Sequence, residues 1–123
     1  MWPYTCYMLY AFIKYLERVG EVRKENGKYV VDFPSFSSFV FGRVWREGGL
    51  VFHDSVRDLE DDVKFVARLG VVTYDEHTKR IVLGDEELEV LRKVADTLKE
   101  NPLRGRIPII DEYLKRIEEA MVP

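Results

Sequence analysis

Several features are scarce in this chain of 123 residues, and each scarcity excludes a class of protein. Its one cysteine, Cys6, cannot form an internal disulfide, so we expect the reducing cytoplasm. No apolar run approaches the roughly 18 residues of a membrane span, and the first residues lack the cationic, then apolar order of a signal peptide. Because Lys and Arg number 19 against 22 Asp and Glu, the net charge is −3. That balance excludes a cationic coat for nucleic acid or anionic lipid, but not a local basic face.

The abundant residues are those of a globular protein. Hydrophobic residues make up 46% and charged residues 33%, which is neither a disordered nor a collagen-like composition. Glutamine is absent and asparagine occurs twice, while Glu, Lys and Arg are plentiful, as is typical of thermophilic proteins. No internal repeat, low-complexity tract or long linker interrupts the sequence. We therefore predict one domain over residues 1–123.

The first strongly periodic segment is residues 4–19. Its apolar side chains recur at intervals of three and four, which predicts a helix, and Gly20 suits the left-handed residue that ends one. Further apolar residues, among them Tyr7 and Ile13, lie off that stripe. A helix that is apolar nearly all round is buried on more than one side. In a small domain we expect the second side to face a partner subunit.

A hairpin and a second helix are predicted next. Asn26-Gly27 readily adopts the positive φ angles of a type I′ turn, which predicts a two-residue hairpin over 21–33. A proline then breaks the strand, and Ser35 can cap a helix over 36–47.

The best-marked helix spans residues 55–69. Ser55 or Asp54 can cap it, and Ser55 with Asp58 forms a variant of the capping box that carries Asp in place of Glu. Gly70 then ends the helix. Apolar residues at helical spacing form its predicted inner stripe: Val56, Leu59, Val63, Val66 and Leu69.

After the helix over 55–69, the sequence predicts a second hairpin and then two more helices. Residues 71–83 flank a polar tip over 75–79 and predict a second hairpin. Pro108 suits the opening of the last helix, because the first helical position needs no N–H. Together these elements predict an α+β fold, helical with two small β-hairpins, with a core over 21–84 and flanking helices over 4–19, 85–99 and 109–121.

The order helix, strand, helix, helix, hairpin resembles that of the winged-helix domain, a variant of the helix-turn-helix. Residues 55–59 (Ser-Val-Arg-Asp-Leu) and 66–72 (Val-Ala-Arg-Leu-Gly-Val-Val) are similar to the recognition helix of archaeal and bacterial winged-helix regulators, which passes through Leu-Gly into the wing. Residues 83–87 (Leu-Gly-Asp-Glu-Glu) resemble the exit from that wing. The resemblance implies a winged-helix-like domain in which residues 71–83 are the wing.

The same resemblance implies that helix 55–69 enters the major groove of double-stranded DNA. At about 100° per residue, Arg57, Asp61, Lys64 and Arg68 fall on one outward stripe of this helix. Arginine can pair with guanine edges, and lysine can hold a phosphate. The predicted DNA-binding residues lie on this helix, its cap, the wing and the preceding helix: Arg43, Arg46, Ser55, Arg57, Lys64, Arg68, Lys79 and Arg80.

The charge of the same segment opposes this hypothesis. Residues 51–69 hold five acidic and three basic residues, a local charge of −2, and each acid near a phosphate weakens binding. Two i, i+4 pairs, Arg57 with Asp61 and Glu60 with Lys64, also fit a solvated helix face held by salt bridges. A face that docks another protein is the third interpretation.

No arrangement of reactive side chains predicts an enzyme. The two histidines, His53 and His77, are expected on different elements, and with one cysteine they do not supply the three or four ligands of a zinc site. Cys6 has no base near it in the sequence and is predicted to be a small core residue. The serines lie outside any Gly-x-Ser-x-Gly turn, and the glycines outside any phosphate-binding motif. We therefore predict no catalytic residue, no metal and no cofactor.

The terminal helices suggest how two copies of the chain would associate. Aromatic residues concentrate in the first 45 residues, where core and interface packing explains them better than stacking on bases. Helices 4–19 and 109–121 both carry long apolar stripes, and the resemblance implies a two-fold dimer built by such flanking helices. The leading hypothesis is a non-enzymatic, homodimeric DNA-binding transcriptional regulator. The alternative is a winged-helix module that binds a protein partner and has no DNA affinity of its own.

Overall fold

The fold is α+β, as the sequence predicts. A computed structural model describes residues 2–45 and 53–123, and all structural statements below concern those residues. Helices dominate, and the strands form a single four-stranded antiparallel sheet in this part of the chain. The elements in chain order are α1 (Trp2–Val19), β1 (Lys24–Glu25), β2 (Lys28–Asp32), α2 (Phe33–Phe39) with a π-helical continuation (Val40–Val44), α3 (Val56–Arg68), β3 (Thr73–Asp75), β4 (Arg80–Leu83), α4 (Asp85–Lys99) and α5 (Pro108–Ala120).

Helix α1 is the centre of the hydrophobic core. It packs against α3, α4 and α5, and its first three turns are buried almost all round. Tyr7 and Ile13, which lie off the main apolar stripe, are both fully covered. The all-round apolar pattern is therefore explained by helices of the same chain, and α1 needs no partner subunit to cover its second side.

The sheet joins the two hairpins in the order β1-β2-β4-β3. Strand β2 pairs with β4 in antiparallel register, so that Tyr29 lies opposite Leu83 and Asp32 opposite Arg80. The turn between β1 and β2 has positive φ at Asn26 (54°) and Gly27 (77°), which is the requirement of the predicted type I′ turn. The central pairing fixes the second hairpin firmly to the rest of the domain.

Helix α2 begins earlier than its sequence signals predict. Phe33 follows β2 directly and is already helical, and Asp32 lies at the N-cap position without a side-chain capping bond. Pro34 lies in the first turn, where its fixed φ and missing N–H favour a helix start, so it opens the helix and Ser35 is not the cap. After Phe39 the winding changes to the π-helical segment. The last two residues of the predicted helix 36–47 lie outside the described residues.

Helix α3 has the predicted ends. The Ser55 hydroxyl accepts a hydrogen bond from the Asp58 N–H at 3.2 Å, and the Asp58 carboxylate accepts one from the Asp54 N–H at 3.1 Å. This is a capping box in which the shorter Asp reaches the residue before the cap. Gly70 ends the helix with φ of +81°. The capping prediction is thus confirmed.

The inner stripe of α3 is shorter than predicted. Leu59, Val63 and Val66 are buried against α1, whereas Val56 and Leu69 are about half exposed, at 52% and 50%. The two ends of the predicted stripe therefore lie outside the core. Within residues 2–45 and 53–123 no helix is long and apolar enough to cross a membrane.

Candidate nucleic-acid interface

An open groove lies between the C-terminal half of α3 and the first strand of the second hairpin. Its volume is about 410 Å³, and it combines charged, polar and apolar walls. Lys64 and Arg68 line it from α3, and Tyr74 and Glu76 line it from the hairpin. A groove between a helix and a hairpin has a shape that an extended polyanion can occupy. The complete lining is Lys64, Ala67, Arg68, Val72, Thr73, Tyr74 and Glu76.

The outward stripe of α3 lies beside this groove. Arg57, Asp61 and Arg68 are exposed and Lys64 is half-buried, on the side opposite the buried Leu59, Val63 and Val66. The helical spacing alone predicted this separation, because residues three and four apart share one face. Three cations and one acid therefore face solvent on one side of α3.

Three of the predicted DNA-binding cations are paired with glutamates. Lys64 forms an ion pair with Glu76, across from α3 to the hairpin. Lys79 Nζ lies 2.6 Å from a carboxylate oxygen of Glu60, and Arg80 lies 3.5 Å from Glu25. These lysines and this arginine are therefore held by carboxylates when no ligand is bound.

The i, i+4 pairs expected along α3 are replaced by pairs to the hairpin. Glu60 contacts Lys79 rather than Lys64, and Arg57 forms no ion pair with Asp61 in the part of the chain described. The reason is that the Tyr74 hydroxyl also donates to Glu60 at 2.5 Å, which draws that carboxylate towards the hairpin. Sequence spacing along one helix does not reveal such partners on another element.

The Glu60 carboxylate is the centre of this charged network. Hydrogen bonds from Lys79 and then Tyr74 lower its pKa below the ordinary value, so it is ionised at neutral pH. Burial and the hydrogen bond to Glu60 raise the pKa of Tyr74, which keeps its hydroxyl a donor. The hydrogen bond from its ammonium to Glu76 raises the pKa of Lys64. The Glu60 carboxylate and the Lys64 ammonium, one from each link between α3 and the hairpin, are thus charged at neutral pH.

Two cations of the stripe have no carboxylate partner in the part of the chain that the structure describes. Arg57 is exposed and makes no ion pair with any described residue, and Arg68 makes none either but lies near the ring of Phe65, at 6.0 Å from its centroid. An arginine presents a planar fork of donors that suits guanine edges and phosphates. Arg57 and Arg68 are therefore the cations of this face that are available to an incoming anion.

Arg43, the described one of the two cations predicted on the preceding helix, does not join this face. The Arg43 guanidinium donates to the Ala120 carbonyl at 2.8 Å and to that of Val122, and it lies 4.6 Å from the centroid of the Tyr15 ring. It caps the C-terminal end of α5, where the carbonyls carry partial negative charge. Arg46 lies outside the described residues.

Ser55 serves the helix that carries the stripe. Because its hydroxyl accepts from the Asp58 N–H, Ser55→Ala leaves an N-terminal donor of α3 without its cap. We expect this substitution to lower the free energy of unfolding by about 1 kcal/mol. Urea denaturation followed by circular dichroism measures the loss. Ser38→Ala, an exposed serine of α2, is the control and leaves stability within roughly 0.5 kcal/mol.

A buried polar cluster behind α3 has no counterpart in the sequence analysis. His53 Nε2 lies 2.6 Å from Asp62 Oδ2, and the Thr5 hydroxyl donates to the same oxygen at 3.1 Å. His53 is only 3% exposed. Since an ionised carboxylate only accepts, the Nε2 atom of His53 carries the proton. The cluster joins α1, the segment before α3, and α3 itself.

The charge balance of this cluster favours the ionised carboxylate. Burial alone would raise the pKa of Asp62, but hydrogen bonds from His53 and Thr5 outweigh it, so the pKa lies below the ordinary value. His53 and Asp62 are nine residues apart and Thr5 is far away in the sequence, so no motif reveals the cluster. Among the described residues no group of three or more His, Cys, Asp or Glu side chains could hold a metal ion.

In the comparisons made, this chain matches no protein family, no characterised protein and no solved structure. The candidate interface therefore depends on the geometry of the chain itself.

Proposed function

We propose that this chain is a non-enzymatic, cytoplasmic winged-helix protein that binds double-stranded DNA and acts as a dimeric transcriptional regulator. One observation carries the proposal. Arg57 and Arg68 lie on the outward face of α3 without carboxylate partners among the described residues, beside a groove that the second hairpin completes. In such an arrangement the arginines of the helix can contact base edges in the major groove, and the hairpin can contact the adjacent DNA backbone.

The roles follow from the side chains. Arg57 and Arg68 would meet base edges, because a guanidinium can donate two parallel hydrogen bonds to guanine. Lys64 and Lys79 would hold phosphates on the two sides of the groove, and Arg80 would contact the backbone farther along the hairpin. Ser55 caps the helix and lies at its N-terminus, near the bases in this arrangement.

The surrounding carboxylates set the strength of binding. Glu60 and Glu76 neutralise two of the lysines, and Asp61 lies in the stripe itself. Non-specific affinity depends on uncompensated cations, which release counterions from the DNA. We therefore expect weak binding to arbitrary sequences and a strong dependence on the correct base sequence.

Fluorescence anisotropy with a labelled mixed-sequence duplex tests the proposal. We expect micromolar binding at low salt that weakens as salt rises, because the cations that reach phosphates release counterions. A single-stranded oligonucleotide of the same sequence is the control and binds more weakly. The absence of duplex binding at low salt would contradict the proposal.

A docking function for the same helix is the alternative, and a specific surface favours it. Asp54, Asp58 and Asp61 are exposed in the N-terminal half of α3 or just before it, and Phe65 and the C-cap residue Leu69 are exposed apolar side chains farther along the same helix. An acidic surface with apolar residues suits a basic protein partner. This alternative predicts that duplex DNA does not bind and that a basic partner does.

Dimerisation is the remaining part of the proposal. Because most of α1 is buried within the chain, we place the partner subunit on the exposed side of α5 and the segment before it, where Leu103 and Ile109 are exposed. We expect light scattering at micromolar concentration to give about 29 kDa, twice the chain mass of 14.5 kDa. A mass near that of one chain would contradict the dimer but not DNA binding.

A further inference from the structure

Two ion pairs of opposite polarity connect α3 to the second hairpin. Helix α3 contributes the carboxylate of Glu60 to Lys79, and the hairpin contributes the carboxylate of Glu76 to Lys64. The Tyr74 hydroxyl strengthens the first link through its hydrogen bond to Glu60. Lys64 and Glu76 both line the groove, whereas the Glu60–Lys79 pair lies outside its lining, and the two pairs together hold the hairpin against the helix.

The two lysines in these links are those that would hold phosphates. A phosphate that reaches Lys64 or Lys79 therefore meets an ammonium that a glutamate already binds, and the two anions repel each other if both stay on the same cation. Replacement of the glutamate by the phosphate is possible, because the Lys79 side chain is 47% exposed and the Glu76 side chain is 59% exposed. The carboxylates and DNA phosphates are in this sense competitors for the same two cations.

We infer that Glu60 and Glu76 compete with DNA phosphates for Lys64 and Lys79. This competition weakens binding to arbitrary sequences and is overcome when both lysines contact phosphates instead. This inference rests on the proposed function. It explains why the acids lie where a DNA-binding surface would ordinarily exclude them. The base contacts of Arg57 and Arg68 would supply the additional binding that makes the transfer of the lysines to phosphates favourable on a correct sequence.

The competition predicts a specific dependence on salt. A lysine that is already neutralised by a glutamate contributes little to counterion release, because breaking its pair leaves a carboxylate that takes up a cation. Replacing that glutamate by glutamine leaves the lysine uncompensated. Its contact with a phosphate then adds about one released counterion to the slope of log affinity against log salt.

Glu76→Gln and Glu60→Gln test the inference, with Asp61→Asn as the matched control. Asp61 is exposed on the same stripe and its removal changes the net charge equally, but it forms no ion pair with any described residue. We expect each glutamine variant to bind the mixed-sequence duplex about threefold to fivefold more tightly than Asp61→Asn does. Its salt slope should also be steeper by about one, while that of Asp61→Asn stays at the wild-type value.

Three outcomes overturn the inference, and they separate it from the proposed function. If the wild type binds and the glutamine variants behave like Asp61→Asn in affinity and slope, the internal competition is wrong and the proposed function stands. If affinity rises without a change in slope, removal of charge alone explains the result and the competition is again wrong. If none of the four proteins binds duplex at low salt, both are wrong. Thermal unfolding of each variant verifies that the fold is retained.

Discussion

Asp62→Ala is expected to lower the free energy of unfolding by about 3 kcal/mol, towards the low end of the cost of leaving two buried donors without their shared acceptor, at about 1–3 kcal/mol for each. The substitution removes the shared acceptor of His53 Nε2 and the Thr5 hydroxyl, both of which are buried. Their donors would then be left without this partner in an interior that water does not reach. The loss should be close to the low end because the Asp62 side chain is itself 22% exposed.

Urea denaturation at neutral pH measures this loss, and the adjacent Asp61 supplies the control. Asp61→Ala removes the same chemical group from the same helix, but from an exposed position. We expect the control to change stability by no more than roughly 0.5 kcal/mol. Equal effects of the two substitutions would show that the buried cluster contributes nothing to stability.

The difference in free energy of unfolding between wild type and Asp62→Ala should depend on pH in a definite direction. The pKa of Asp62 is lower in the folded chain than its ordinary value of 3.8, so its contribution is present above that value and is lost as pH falls through the lowered pKa. The part of the stability difference between wild type and Asp62→Ala that the carboxylate contributes should therefore be complete above its ordinary pKa. It should shrink in strong acid, below about pH 4.

Arg57→Ala and Arg68→Ala are each expected to weaken duplex binding by about 1–3 kcal/mol, which is roughly 5- to 150-fold. Each removes a guanidinium that would pair with a base edge, and neither has a carboxylate partner among the described residues that would otherwise account for its position. Their effect on stability should be small, because both side chains are exposed. Anisotropy titrations against a preferred duplex measure the losses.

Arg106→Ala is the matched control for these two substitutions. Arg106 is exposed in the segment before α5, and its side chain makes no ion pair with any described residue. The variant loses the same charge, so a purely electrostatic and non-directional attraction would weaken binding equally in all three proteins. Equal losses would therefore remove α3 from the interface.

The sequence predicts well what depends on local periodicity and end signals. Ser55, Asp58 and Gly70 lie within a few residues of the helix ends that they determine, and Asn26-Gly27 determines its own turn. The outward stripe of α3 follows from the 3.6-residue repeat in the same way. These features are encoded over short distances in the chain, so a single sequence is sufficient to find them.

The parts that the sequence does not predict are contacts between elements. Lys64 of α3 pairs with Glu76 of the hairpin, and Lys79 of the hairpin pairs with Glu60 of α3. The i, i+4 spacing predicts a different pair, Glu60 with Lys64 within α3. The joining of Thr5, His53 and Asp62 depends on tertiary packing between distant segments. The sequence also does not show what covers the second apolar side of α1. A helix that is apolar nearly all round has the same sequence pattern whether helices of its own chain or a second subunit cover it.

The most direct test of the central claim, that the outer face of α3 and the second hairpin contact DNA, is a nuclear magnetic resonance titration. The ¹⁵N–¹H correlation spectrum of the labelled protein is recorded while a mixed-sequence duplex is added. The account predicts that the largest shift changes occur at the amides of Arg57, Lys64 and Arg68 and in the hairpin turn over 76–79. Shift changes confined to α4 and α5, or none at any concentration of duplex at low salt, would contradict it.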